Sequence, residues 1–213
     1  MEHLHIDVLG HSFSLCRPAD LETLWDQLSA EDQDQDERIP YWVEVWPAAI
    51  LLAKWVLSHA GQLKGKTCLD LGCGLGLCSQ AMATCQARVV GVDYEQVALE
   101  YALHSAKSAQ NVLWMGMDWR KPCFKPGSFP LILGADILYE SRFFSPLLAL
   151  WQEALAPGGR IWLSTPDRAV SRSFLSTTLP QAGWMARCLC HEPVSHASFQ
   201  HMEIMLWEIT RGY

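Results

Sequence analysis

The chain has 213 residues, half of them hydrophobic, which suits one domain with a full core and excludes disorder throughout. Sixteen basic and 23 acidic side chains leave a formal charge of −7. That balance disfavours a nucleic-acid backbone as main partner and fits either a cationic substrate or acidity that only aids solubility.

The opening Met1-Glu2-His3-Leu4-His5 lacks a basic stretch followed by an apolar one, so no signal peptide is read there, and no apolar run reaches membrane-spanning length. Ile6 to Leu15 alternates partly around Gly10-His11 and predicts a small hairpin. Pro18-Ala19-Asp20 leads into Leu21, Leu24, Trp25 and Leu28 at helical spacing, with Asp20 as N-cap. Glu31 to Glu37 is a polar loop. Asp32, Asp34 and Asp36 imitate the start of a calcium loop, but Glu37 and Val43 stand where such a loop needs glycine and glutamate. Residues 1–38 are expected as a hairpin-and-helix extension, ahead of a domain over residues 39–213.

Ile39 to Ala49 gathers Tyr41, Trp42 and Trp46 with two prolines, before a helix over Ala48 to Ser58. The two tryptophans are either core or rings beside a ligand. Thr67 to Asp93 then reads as strand, glycine turn, helix and strand. Leu69 and Leu71 lie in one apolar run, Val89, Val90 and Val92 in another, and Leu77 to Arg88 supplies the helix. Gly72, Gly74 and Gly76 alternate, and Asp93 follows Gly72 by 21 positions, where a βαβ nucleotide fold sets an acid on the ribose hydroxyls. The dinucleotide pattern fails, because Leu77 and Ser79 stand where it needs small residues. Asp70 either caps the turn or attracts an ammonium or sulfonium group, and it would repel a pyrophosphate. S-adenosylmethionine carries both cations and no phosphate.

Cys68, Cys73, Cys78 and Cys85 cluster around this turn without CxxC spacing, so reduced thiols in a cytoplasmic protein are expected. His191, His196 and His201 recur every five positions, which fits no helix face, and no metal site is expected.

Glu95 to Ser108 predicts a helix and Asn111 to Met115 a third strand, followed by the loop Gly116 to Arg120. There Asp118 either takes an adenine amino group, with Trp119 packed beside the ring, or is an acid without a ligand. Phe129 to Ala135 is a fourth strand. Arg142 to Ala156 is helical, with Leu147, Leu148 and Trp151 inward, and Pro157-Gly158-Gly159 stops it. Arg160 to Ser164 is a fifth strand. Trp184 to Cys190 and His201 to Thr210 read as closing strands with no long helix between them. Met205, Trp207 and Ile209 make the alternate face of the last strand too apolar for water, so both its faces should be covered.

Leu69-Asp70-Leu71-Gly72-Cys73-Gly74-Leu75-Gly76 with Asp93 resembles the cofactor signature of class I, seven-strand S-adenosylmethionine-dependent methyltransferases, and the order of elements agrees over roughly residues 40–210. Within that class, Pro40-Tyr41-Trp42 with Trp46-Pro47-Ala48, and Asp136-Ile137-Leu138-Tyr139, are similar to the tryptophan-bearing segment and D-x-x-Y motif of the seven-β-strand protein lysine methyltransferases. That group includes the electron-transfer-flavoprotein β-subunit lysine methyltransferases and their bacterial relatives. The resemblance implies a Rossmann-like α/β fold: a seven-stranded, mostly parallel sheet, an antiparallel final strand, and helices on both faces. It implies S-adenosyl-L-methionine as cofactor, held by Asp70, Gly72, Gly74, Asp93 and Asp118, with Trp46, Tyr94, Trp119 and Ala135 around it. Asp136 and Tyr139 would be the catalytic pair lining the acceptor channel, with Glu44 or Glu140 helping a proton leave. The implied partner is a protein presenting a lysine, met by a monomer without nucleic acid or membrane. A small-molecule N- or O-methyltransferase and a non-catalytic binding module on the same fold are the rivals.

Overall fold

The computed structural model describes residues 1–20, 40–106, 111–196 and 199–212. Strands β1 (Glu2–Val8) and β2 (His11–Arg17) form an antiparallel hairpin. Leu9 and Gly10 between them both have positive φ, 50° and 79°, as a tight two-residue turn matching the strand twist requires. The predicted helix from Leu21 and the polar loop Glu31 to Glu37 lie outside the described residues.

Among the described residues, seven strands make the main sheet: β3 (Thr67–Leu71), β4 (Arg88–Asp93), β5 (Val112–Gly116), β6 (Phe129–Ala135), β7 (Leu155–Pro166), β8 (Trp184–His196) and β9 (Phe199–Arg211). Their order is β5-β4-β3-β6-β7-β9-β8, and only β9 runs antiparallel to its neighbours. The helices are α1 (Pro47–Ser58), α2 (Leu77–Thr84), α3 (Gln96–Ser105) and α4 (Phe144–Ala154). A later run opens as α5 (Ala169–Ser173), passes through a π-helical stretch (Phe174–Thr178) and closes as α6 (Leu179–Gln181).

Strand alternation divides the core between the two faces of the sheet. Cys68, Leu131 and Leu133 face α1, α2 and the hairpin, packing with Leu52, Val56, Met82, Ile6 and Phe13. Leu69, Ile132 and Leu163 face the other way, against Leu147 and Trp151 of α4 and Phe174 and Leu179 of the later run. Burying each such side chain stabilises the fold by about 1.5–3 kcal/mol. In β9, Ile204 and Leu206 join the first layer and Ile209 the second, so both faces of that strand are covered, as its apolar alternation foretold.

Several boundaries differ from the sequence reading. The helix after the glycine turn ends at Thr84 rather than reaching Arg88. Gln86 turns left-handed at φ 61°, and Arg88 is taken up by parallel pairing with Thr67. Helix α4 starts at Phe144 after a 3-10 turn over Ser141–Phe143, and ends at Ala154. Pro157-Gly158-Gly159 lies within β7, beside a shift in its register with β6. The helical run Ala169 to Gln181 was not read at all. Its stretch Ser171 to Thr178 is rich in serine and threonine, weak helix formers, and its helicity rests on Phe174 and Leu179 packing into the core. Among the described residues no helix joins β5 to β6; residues 117–128 are irregular.

Candidate active site

The carboxyl ends of β3, β4, β5 and β6 meet at the point where the strand order reverses, the place where open α/β sheets leave a crevice. A cleft of about 660 Å³ opens there. Gly72, Gly74 and Gly76 all have positive φ, at 69°, 49° and 86°, so the chain winds back sharply after β3. At Gly76, which begins α2, an added Cβ would stand 2.5 Å from Cη2 of Trp114.

Asp93, the last residue of β4, braces this turn. Its Oδ2 accepts the Gly74 amide at 2.8 Å and its Oδ1 the Glu95 amide at 3.0 Å. A carboxylate has about four lone-pair sites, so two remain for a ligand. Burial raises the Asp93 pKa, opposed by these amides. Asp70 is almost fully buried and accepts the Ser79 hydroxyl at 2.6 Å. Burial pushes its carboxyl up to about 6; the Ser79 bonds oppose the shift and the Asp93 charge adds to it.

On the far side, Asp118 follows β5. It accepts the Arg120 amide at 2.8 Å and the Arg120 Nε at 2.8 Å. The same guanidinium lies 5.8 Å from the ring centre of Tyr94, which is half-exposed on the rim. Trp119 leans over the glycine turn, its Cζ3 3.6 Å from where a Cβ on Gly72 would stand.

At the other end, Asp136 follows β6 with φ 54°, its amide bonded to the Ser164 carbonyl at 2.8 Å. Its carboxylate receives both terminal nitrogens of Arg168, at 2.5 and 3.0 Å. Burial raises its pKa, with Arg168 opposing. Tyr139 sits between Tyr41 and Phe143, with ring centres 5.2 and 5.5 Å away. Burial, helped by the charges of Glu140 and Asp93, holds its hydroxyl far above the ordinary phenol range, so it stays protonated. Trp46 precedes α1 and donates its indole N–H to the Tyr41 carbonyl at 2.8 Å.

All eleven residues singled out from the sequence line this one cleft: Trp46, Asp70, Gly72, Gly74, Asp93, Tyr94, Asp118, Trp119, Ala135, Asp136 and Tyr139. Glu44 and Glu140 line it too, each paired with an arginine, Arg17 at 2.8 Å and Arg142 at 2.6 Å. Sequence reasoning missed Arg168 and Phe143. Arg168 stands 32 positions beyond Asp136, and the parallel pairing of Ala135 with Ser164 brings the two together. Among the described residues, no histidine lines the cleft and no group of metal-ligating side chains assembles.

The donor set suits S-adenosylmethionine. Asp70, Asp93 and Glu95 surround the glycine turn, while the arginines of the cleft, Arg120, Arg142 and Arg168, each hold an acid of their own. Such a lining favours a cationic, phosphate-free ligand over a diphosphate. Sheet order and glycine turn together are those of the class I S-adenosylmethionine-dependent methyltransferases. Solved structures with this fold include a putative RNA methyltransferase from Pyrococcus horikoshii, with TM-score 0.63 at 14% identity over 89% of this chain and 96% of that one. Another is P. horikoshii TYW2 in complex with MeSAdo, with TM-score 0.57 at 14% identity over 97% and 71%. The family described as lysine methyltransferase matches residues 27–179, and the chain belongs to it. Curated relatives include ubiquinone biosynthesis O-methyltransferases. That of Paraburkholderia phymatum is 34% identical over 148 residues, 68% of this chain and 62% of that protein. That of Bordetella pertussis is 29% identical over 147 residues, 68% and 60%. The chain thus spans about three-fifths of the length of these curated relatives.

Proposed function

We propose that this methyltransferase acts on a lysine side chain of a protein substrate, in the cytoplasm and without nucleic acid or membrane. The observation that carries the reading is the acceptor end of the cleft, where Asp136 and Tyr139 stand among aromatic rings in a chain of the lysine methyltransferase family. S-adenosylmethionine, when bound, supplies a methyl group already activated on a sulfonium. The protein's work is alignment and exclusion of water. Asp93 takes the ribose hydroxyls with its spare lone pairs, and Gly72 and Gly74 let the backbone lie against the ligand. Asp70 balances the cationic end. Asp118 and Trp119 hold the adenine, while Tyr94, Ala135 and Trp46 close the sides.

A lysine ammonium, with a pKa of ~10.4, arrives charged and must lose a proton before its nitrogen can react. The protonated Tyr139 hydroxyl is no base, and Arg168 already engages Asp136. The proton therefore leaves to water as the amine enters, and Asp136 with Tyr139 orients the acceptor. Incubating a cell lysate with the protein and methyl-labelled cofactor tests this. Label on a protein band, with mass increments of one CH₂ on lysine peptides, is the expected result.

A second reading, O-methylation of a small molecule, draws support from the curated relatives, which are named for it. Label confined to the small-molecule fraction would establish that reading instead.

A further inference from the structure

The acids at the acceptor end of the cleft are already held. Asp136 takes both terminal nitrogens of Arg168, Glu140 meets Arg142 at 2.6 Å, and Glu44 meets Arg17 at 2.8 Å. A carboxylate matched by a guanidinium presents little net charge to a further cation. The same region also carries three aromatic rings. Tyr41 lies 5.2 Å from Tyr139 and 6.1 Å from Trp46, ring centre to ring centre, at interplanar angles of 55° and 63°. Rings inclined like this form walls rather than a stack. They are fixed before any ligand arrives: Trp46 is bonded to the Tyr41 carbonyl and backed by Phe199 at 4.9 Å, and Phe143 packs 5.5 Å from Tyr139.

We propose that Tyr41, Trp46 and Tyr139 recognise the acceptor's positive charge through their ring faces, so that the site holds methylated ammonium groups and carries the transfer through successive rounds. This rests on the lysine reading above. A carboxylate binds an ammonium largely through N–H bonds, and each methyl group removes one. A ring face attracts the charge itself and needs no N–H. In each round the neutral amine's lone pair bonds to the methyl carbon as the carbon–sulfur bond breaks. Sulfur keeps that electron pair and becomes a neutral thioether. The nitrogen, now positive, gives a proton to water before the next round. A trimethylated nitrogen has no proton to give, and the series stops there.

The test is a binding comparison on protein loaded with S-adenosylhomocysteine, with loading established first by calorimetry. Three probes are titrated: the acetyl-amide of trimethyllysine, that of lysine, and the uncharged isostere with carbon in place of the trimethylated nitrogen. The trimethyllysine probe should bind about tenfold tighter than the isostere, and at least as tightly as lysine. Trp46→Leu and Tyr139→Leu should lose most of the preference for charge, and Trp46→Phe should keep part of it. Equal binding of the charged and uncharged probes would mean a merely apolar recess. Lysine binding about tenfold tighter than trimethyllysine would mean recognition through carboxylate and N–H. Either result, or no binding of any probe, overturns the proposal. Failure to load with S-adenosylhomocysteine would overturn the methyltransferase reading itself, so the two failures are told apart.

Discussion

Asp93 serves the turn before it serves any ligand. Its two oxygens hold the amides of Gly74 and Glu95, so Asp93→Ala removes a ligand group and also frees the loop that shapes the site. Calorimetry should show cofactor binding abolished in Asp93→Ala, whereas Asp136→Ala should bind cofactor and lose turnover. Wild-type cofactor affinity in Asp93→Ala would refute the first half. Asp70 adds a pH signature. Its carboxyl titrates near 6 in the ligand-free protein, above the ordinary 3.8, because burial disfavours its charge. A cationic ligand favours the ionised form, so affinity should fall as pH drops through about 6, with a proton released on binding there. The same linkage makes the folded, ligand-free protein bind more protons than the unfolded chain between those two values, so this group costs stability as pH rises across that window. Asp70→Asn should flatten both dependences, and an unchanged pH profile in that variant would exclude Asp70 from the cationic end.

The strands were legible because fully buried parallel strands leave short, continuous apolar runs; β6 was read to the residue, Phe129 to Ala135. The glycine turn and both its acids were legible for a related reason. Positive φ and close packing restrict residue type so strongly that the restriction shows in the sequence. Gly76 has φ 86° with Trp114 at 2.5 Å from an added Cβ, while Gly158 has φ 68° with open space around it. Gly76→Ala should therefore cost about 2–4 kcal/mol, strain plus overpacking, against about 1–2 kcal/mol for Gly158→Ala, strain alone. Urea midpoints of the two variants check the difference, and equal losses would remove the packing component. The run Ala169 to Gln181 was illegible because tertiary packing, not propensity, makes it helical. Arg168 was hidden likewise: its meeting with Asp136 depends on the register of β6 against β7, which no local pattern encodes.

At the scale of the molecule, the N-terminal hairpin is joined to the methyltransferase core by more than chain connectivity. Ile6, Val8, Phe13 and Leu15 are all at least 95% buried and belong to the same apolar layer as α1 and α2. The Cys16 amide donates to the Ser105 hydroxyl of α3 at 2.7 Å, and Arg17 reaches Glu44 at the cleft mouth at 2.8 Å. The ion pair contributes at most about 1 kcal/mol. The four apolar side chains carry far more, on the order of 6 kcal/mol together, which rivals the whole net stability of an ordinary domain, about 5–15 kcal/mol. An appendage used only to greet a partner could be removed without harm to the fold. Here, deleting residues 1–18 should lower the melting temperature by about 10 °C or more, or leave the protein insoluble, because the helix faces beneath would be bare. Arg17→Ala in the full chain should shift the melt by only a few degrees. A truncated chain that melts with the intact protein would show instead that the hairpin's apolar face adds nothing to the fold.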